Sequence, residues 1–326
     1  MHFFSNIMLI IVVIILLMLN SACLVMAKQT SASSTMPVIK DQYVIAEGLK
    51  LHYVVSGVGQ PVVLLHGNDG TLQDFTMSIF NNLSTKYQTI AFDRPGHGSS
   101  ETAWYKMLPP QKQASILHSA LNKLGIIHPL LVAHSWSGAL ALSYALEFPQ
   151  DLSGLVLLGS VAYQTEQTDP KLIYYVAEVP LIRSVAAFVF MITGKSEIKR
   201  QLEVAFLPDS APQPYVQSFL ASLFRLSQIK AAACDVLTLN PALKKISSRY
   251  SNIHMPVVIV TGDNDKTLSP EKHSYPLHKA IAQSKLIVVR NAGHELQFTH
   301  PDEVMSAIDL ALAPPLKACI PGQVQQ

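Results

Sequence analysis

Leu130-Leu131-Val132-Ala133-His134-Ser135-Trp136-Ser137-Gly138-Ala139-Leu140 is the stretch on which the reading of this chain turns. An apolar run, Leu130 to Ala133, ends in a serine and gives way at once to a helix-forming segment, Ala139 to Phe148. A short apolar run bounded by a turn reads as a buried strand. A serine at that junction sits on a tight strand-to-helix turn, its hydroxyl thrown out at the top of a sheet. The helix behind it points backbone N–H groups toward any anion that develops in front. Such a turn is a nucleophile elbow, whose usual form is G-x-S-x-G. Here Ala133 and Ser137 fill both glycine positions, and they are the next smallest residues for a close approach of strand and helix.

Supporting segments lie on either side. Upstream, Pro61-Val62-Val63-Leu64-Leu65 reads as a buried strand running into His66-Gly67-Asn68-Asp69-Gly70. A glycine turn after a central strand aims a backbone N–H at a substrate carbonyl oxygen. The N–H of Asn68, with that of Trp136 after the nucleophile, would complete an oxyanion hole. Downstream, Val257-Val258-Ile259-Val260-Thr261 is another β-branched run and ends in Gly262-Asp263-Asn264-Asp265. Lys285 to Arg290 reads as a further strand, followed by Asn291-Ala292-Gly293-His294. A serine, an acid and a histidine thus each stand just past a strand end, and Asp263 and Asp265 compete for the acid.

These segments resemble the α/β-hydrolase fold, and the likeness runs from about Tyr43 to Leu312. Asp93-Arg94-Pro95-Gly96-His97-Gly98-Ser99 resembles the turn after the family's fourth strand. Leu155-Val156-Leu157-Leu158-Gly159 resembles the strand that leads into its cap, and Asn291 to His294 with His300-Pro301 resembles its histidine loop. The resemblance implies a mostly parallel eight-stranded sheet with helices on both faces and an inserted helical cap. It implies the chain order Ser135, Asp265, His294, because the family takes its acid from the fourth position of G-x-x-D. Family members that attack with an aspartate at the elbow, the haloalkane dehalogenases and epoxide hydrolases, are excluded by Ser135.

A serine hydroxyl is a poor nucleophile at neutral pH and needs a positioned base. His294 would take its proton, and Asp265 would hold the imidazole in the right tautomer and stabilise its cation. The Asn68 and Trp136 N–H groups would bind the oxyanion, an acyl-enzyme would form on Ser135, and water would release it. Each residue also has a plainer reading: Ser135 as a helix N-cap, His294 as a loop histidine satisfied by backbone. His66, His97 and His134 read as packing or hydrogen-bonding side chains, and His300 as the start of a helix. No metal or organic cofactor is expected, since H-x-x-x-H and C-x-x-C spacings, a P-loop and a dinucleotide G-x-G-x-x-G are all missing from the sequence.

Between Val161 and about Asn252 helical patterns interrupt the alternation of strand and helix: Lys171 to Val179, Leu181 to Thr193, Ser196 to Phe206, Tyr215 to Ile229 and Lys230 to Leu239. The region is apolar, with Leu172, Ile173, Tyr174, Tyr175, Phe188, Phe190, Met191, Phe206, Phe219 and Phe224. Most of these would pack cap against body. A cap this apolar over the elbow favours a hydrophobic acyl or aryl group over a sugar or a charged peptide. The expected substrate is a small to medium hydrophobic ester. A C–C bond hydrolase of the ring-fission type, and an inactive hydrolase fold that binds a hydrophobic ligand, stand as alternatives.

The 326 residues suit one large domain with its cap: core over 41–160 and 253–314, cap over 161–252, and a tail over 315–326. A net charge of +2 and a longest basic cluster of Lys244-Lys245 give no sign of a nucleic-acid partner. Ile7 to Met26 is nearly continuous Ile, Val, Leu and Met, which has no place in the sheet. Residues 1–27 are therefore expected to be a signal peptide or membrane anchor, with 28–40, rich in Ser and Thr, as a flexible tether. Val25-Met26-Ala27 offers a cleavage site, and Asn20-Ser21-Ala22-Cys23 resembles a lipoprotein box with Asn20 in place of leucine. The expected location is membrane-anchored or exported rather than free cytosolic. Cys234 and Cys319 would remain beyond the leader, paired or free.

Overall fold

In the computed structural model, residues 40–166, 170–189 and 195–313 are described. The expected leader and most of the tether, the tail with Cys319, and Phe190, Met191 and Thr193 lie outside them. Among the described residues no helix is long and apolar enough to cross a membrane.

Eight strands form one sheet: β1 (Gln42–Ala46), β2 (Leu49–Ser56), β3 (Pro61–Leu65), β4 (Gln88–Phe92), β5 (Leu130–His134), β6 (Gly154–Leu158), β7 (Val257–Gly262) and β8 (Lys285–Val289). Their order is β1-β2-β4-β3-β5-β6-β7-β8. β2 is antiparallel to β1 and β4, and every other neighbouring pair is parallel. The central strands are apolar without alternation because both faces are covered. Val63, Leu65, Leu131, Ala133, Leu155 and Leu157 face one core, and Val62, Leu64, Leu130, Val132, Val156 and Leu158 face the other. Each such Val or Leu side chain contributes about 1.5–3 kcal/mol when fully buried, so the paired cores, rather than any single contact, hold the sheet.

Helices α1 (Pro110–Lys123) and α2 (Ser137–Glu147) cover the first face. Short helices Gln73–Thr76 and Phe80–Leu83 and a C-terminal helix, Pro301–Leu312, cover the second. Pro110 and Pro301 open their helices, where the missing N–H costs nothing. Between β6 and β7 come α3 (Pro170–Glu178), α4 (Pro180–Val189), α5 (Lys195–Phe206), α6 (Gln213–Leu223) and α7 (Leu226–Ile246).

The last two differ from the sequence expectation. The break falls at Phe224-Arg225, not between Ile229 and Lys230, and α7 runs through Pro241 to Ile246 instead of stopping at Leu239. Proline ends most helices by removing a hydrogen bond and crowding the preceding turn. Here Leu243 and Ile246 are buried in the main core, and Asn240 exchanges two hydrogen bonds with the backbone of Thr165. That tertiary anchoring outweighs the proline. No glycine or proline marks the break at Phe224-Arg225, so local sequence carries no sign of it.

The parallel register does the positioning. His134 pairs with Leu158, Leu158 with Val260, and Gly262 with Val289. The residues that follow β5, β6, β7 and β8 therefore stand side by side at one edge, where open α/β sheets place their ligands.

Candidate active site

Ser135 occupies that edge in a strained backbone conformation, φ +55°, between β5 and α2. The turn is held by Ser135 N–H donating to Leu158 O at 3.0 Å and by Val161 N–H donating to Ser135 O at 3.0 Å. A non-glycine residue in the left-handed region costs of order 1–3 kcal/mol and persists only where its surroundings over-determine it. Ser135 is half-buried among buried neighbours, so its hydroxyl has access to the space in front of the sheet.

The substituted glycines of the elbow are explained by where space is lacking. At position 137 the serine hydroxyl finds a use, donating to His66 O. The close approach has moved one residue on, to Gly138, where a Cβ would meet Ser160 Cβ at 2.5 Å and Val161 O at 2.9 Å. The Gly67 turn presses on the same serine: a Cβ there would meet Ser135 Cβ at 2.9 Å and His134 Nδ1 at 3.3 Å. Asn68 thus follows directly after the point where the turn touches Ser135. Among the described residues neither the Asn68 nor the Trp136 N–H donates to a backbone acceptor.

His294 Nδ1 lies 2.7 Å from Asp265 Oδ2. The other carboxylate oxygen accepts the N–H groups of Thr267 and Leu268, both at 2.8 Å. Burial works to raise the Asp265 pKa, but the His294 charge and these hydrogen bonds outweigh it and lower it. Burial likewise disfavours a charged His294, and the Asp265 carboxylate overrides that, raising the ring's pKa. The ring's orientation follows: Nδ1–H donates to the acid, leaving Nε2 with the lone pair. Asp263, the competing acid, is exposed and instead accepts the Asn291 N–H at 2.7 Å. It shapes the turn and does not reach the ring. No hydrogen bond joins Ser135 Oγ to His294 among the described residues. Catalytic hydrogen bonds commonly tighten only when substrate is bound.

Three neighbours were not singled out from sequence. Gly159, at the end of β6 with φ +45°, leaves room for the pair, since a Cβ there would meet His294 Nδ1 at 3.1 Å and Asp265 Oδ2 at 3.3 Å. Its signal was a glycine closing an apolar strand. Arg94 and Asp235 are both buried and ion-paired at 2.7 Å across 141 positions of sequence. Arg94 lay in a quoted motif, but nothing local announces its partner.

The four other histidines considered from the sequence make structural contacts. His134 packs on His294 with ring centroids 4.7 Å apart, and burial next to that ring lowers its pKa to about 3. Neutral, it donates from Nε2 to His294 O at 3.2 Å. His66 accepts the Arg94 N–H at Nε2, and its Nδ1 donates to Gly67 O. His97 is buried against Pro95 O, and His300 bonds Thr299 at the start of the C-terminal helix. Among the described residues no group of three His, Cys, Asp or Glu side chains is placed to hold a metal ion. Cys234 is a buried free thiol, its pKa pushed up to about 11 by burial.

Helices α5 and α6 of the cap are both fastened to the core beside the site. Ala205 O, at the end of α5, accepts the N–H of His294 at 2.8 Å and of Glu295 at 3.3 Å. Tyr215 of α6 donates its hydroxyl to Asp74 at 3.0 Å. Asp74 and Glu295 are buried carboxyls whose pKa values burial raises, and the charge of Glu295 raises Asp74 further.

Comparison with known proteins agrees with this architecture. The alpha/beta hydrolase fold family matches residues 60–301. Lipase 1 of Psychrobacter immobilis is 26% identical over 264 residues, 77% of this chain and 76% of that protein. The 2-hydroxy-6-oxo-6-phenylhexa-2,4-dienoate hydrolase of Comamonas testosteroni is 24% identical, over 78% of this chain and 87% of its own length. Among solved structures, a thermophilic esterase from Thermogutta terrifontis superposes with a TM-score of 0.67 at 20% identity, covering 84% of this chain and 98% of the esterase. An epoxide hydrolase superposes with a TM-score of 0.70 at 18% identity, covering 85% and 99%. With a family match across most of its length and the sheet order described above, this chain belongs to the alpha/beta hydrolase fold family and is a hydrolase of that fold.

Proposed function

We propose that the protein is a serine hydrolase that cleaves small to medium hydrophobic carboxylic esters through an acyl-enzyme on Ser135. The observation that carries the reading is the conjunction, at one edge of the sheet, of Ser135 on a strained turn after β5 with a His294–Asp265 pair at 2.7 Å after β8 and β7. In this reading Nε2 of His294 takes the Ser135 proton as Oγ attacks the ester carbonyl. The tetrahedral oxyanion accepts the N–H groups of Asn68 and Trp136, each donor worth about 3 kcal/mol. The imidazolium then protonates the leaving alcohol, and a water activated by the same ring releases the acid.

The relative from Comamonas testosteroni supports a second reading, C–C bond cleavage of a ring-fission product, using the same serine and histidine. The apolar run Ile7 to Met26 supports placing the enzyme at a membrane or outside the cell. Cell fractionation checks that placement, and recovery in the soluble cytosol would remove it. The activity is tested with a fluorophosphonate probe on wild type and Ser135→Ala, followed by mass mapping and turnover of p-nitrophenyl esters. Labelling at Ser135 that the mutant loses, with ester turnover, is the expected result. A folded wild type that neither labels nor turns over esters would overturn the reading.

A further inference from the structure

Gly67 C=O and Asn68 N–H belong to one planar trans peptide, so they point in opposite directions. Whatever fixes the Gly67 oxygen sets the direction of the Asn68 N–H. That oxygen accepts Nη2–H of Arg94 and Nδ1–H of His66, each at 2.9 Å. Arg94 Nε–H also donates to the preceding carbonyl, His66 O, at 3.1 Å. One guanidinium fork therefore grips two successive carbonyls on the rear of the turn.

The same group supports the second oxyanion donor. The guanidinium lies over the Trp136 ring, 4.2 Å from its centroid. The indole N–H donates to Asp235 O at 3.1 Å, and Asp235 Oδ2 accepts Arg94 Nη2–H at 2.7 Å. Gln113 closes the set, its Oε1 accepting Arg94 Nη1–H and its amide N–H donating to Asp235 Oδ1, both at 3.0 Å. Asp235 stands on the cap helix α7, seven residues from Gln228, on the same helix face. Gln228 donates to Asp69 O at 2.8 Å and Gly70 O at 3.1 Å, two carbonyls further along the same turn.

We propose that Arg94 is a positioning residue for the oxyanion hole. It holds the Gly67–Asn68 peptide and the Trp136 ring from behind, and Asp235 on the cap helix holds it in turn. The inference rests on the serine-hydrolase reading. A cation bonded to the peptide carbonyl polarises the peptide and makes its N–H a better donor. With every partner already in place, no rearrangement is needed as negative charge develops. Lysine cannot substitute: a single ammonium lacks the planar fork that meets two carbonyls, a carboxylate and an aromatic face together. α7 is on this view a fixed brace of the catalytic site as well as part of the substrate cover.

The test compares Arg94→Lys and Asp235→Asn with wild type, each verified as folded by circular dichroism. Readouts are kcat and KM for a p-nitrophenyl ester and inhibition by a matched pair of compounds. One is a trifluoromethyl ketone that adds to the serine as an oxyanion, the other a ketone-free ether of the same shape. For Arg94→Lys the expectation is a fall of about 100-fold in kcat with KM little changed. The trifluoromethyl ketone should weaken in proportion, while the ether binds as before. Asp235→Asn, which keeps the guanidinium and frees it to drift, should show the same pattern at about tenfold, and it carries the test if Arg94→Lys does not fold. Wild-type kcat in a folded variant, or equal weakening of both inhibitors, would overturn the proposal. Failure of wild type itself to label at Ser135 would instead overturn the reading beneath it.

Discussion

Replacing Asp265 with asparagine should disable the enzyme by moving one proton, leaving the loop intact. The structure determines how the new amide would lie. Oδ1 of Asp265 accepts two backbone N–H groups at 2.8 Å, from Thr267 and Leu268, and an NH2 there would face two donors. The amide oxygen must take that place, which turns the NH2 toward His294 Nδ1. A donor at that point forces Nδ1 to accept, so the ring proton moves to Nε2, the nitrogen that receives the Ser135 proton in the proposed mechanism. In a Ser–His–Asp triad this exchange costs about 10⁴ in kcat, or about 5 kcal/mol of transition-state stabilisation.

The pH dependence gives a second reading of the same change. His294 is raised above its ordinary value of 6.5 because Asp265 outweighs burial. In the proposed mechanism the neutral ring is the base, so wild-type kcat/KM should rise with pH through a midpoint above 6.5. In the variant burial acts without that opposition, and the limb should move to lower pH. Asp263→Asn is the internal control, since Asp263 accepts the Asn291 N–H and the Asn264 amide and does not reach the ring, and its kcat should change by less than about threefold. Initial rates from pH 5 to 9 on the three proteins settle the matter. Greater damage from Asp263→Asn than from Asp265→Asn, or wild-type kcat in Asp265→Asn, would refute the argument.

Three further outcomes follow from the geometry. Gly159→Ala adds a Cβ within 3.1 Å of His294 Nδ1 at a φ of +45°, and should lower kcat at least about tenfold with a stability loss of about 1–3 kcal/mol. A fully active, equally stable Gly159→Ala would contradict the close packing. Asp74 has a folded-state pKa raised by burial and Glu295, so its contribution to stability is present at low pH and fades as pH rises through the raised value. Asp74→Asn, melted across pH 5 to 9, should therefore lose less stability toward high pH than wild type, and parallel curves would count against the buried acid pair. Leu243→Ala, at a fully buried position past Pro241, should cost about 2–5 kcal/mol by chemical denaturation. A cost below about 1 kcal/mol would mean that α7 is not anchored there.

The strand ends that build the site were legible because each is a local pattern. The short Val, Ile and Leu runs of β3, β5, β6 and β7 read as strands buried on both faces, and each ran into small or polar residues. The cap helices were legible as apolar periodicity, but the join at Phe224-Arg225 and the passage through Pro241 were not. Both are decided by what α7 docks against: the Gln228, Ala231 and Asp235 side toward the turns, the Leu243 and Ile246 side toward the core. Choosing Asp265 over Asp263 depended on a resemblance to other proteins. In the structure the two differ in direction, one carboxylate turned inward to a ring and the other outward to a turn.

By itself the sequence determined which chemistry this chain can assemble: a serine on a strand-to-helix turn, an acid and a histidine after later strands, a glycine turn upstream. These are decided locally, by side-chain size and backbone freedom over a few residues. Only the tertiary structure decided that they meet. Strand order and parallel register carry Ser135, Gly159, Asp265 and His294 to one edge from positions up to 159 apart. The buried links among Arg94, Gln113 and Asp235 belong wholly to that level. A charge excluded from water is stable only beside its partner, and no local pattern in the chain says where that partner will be.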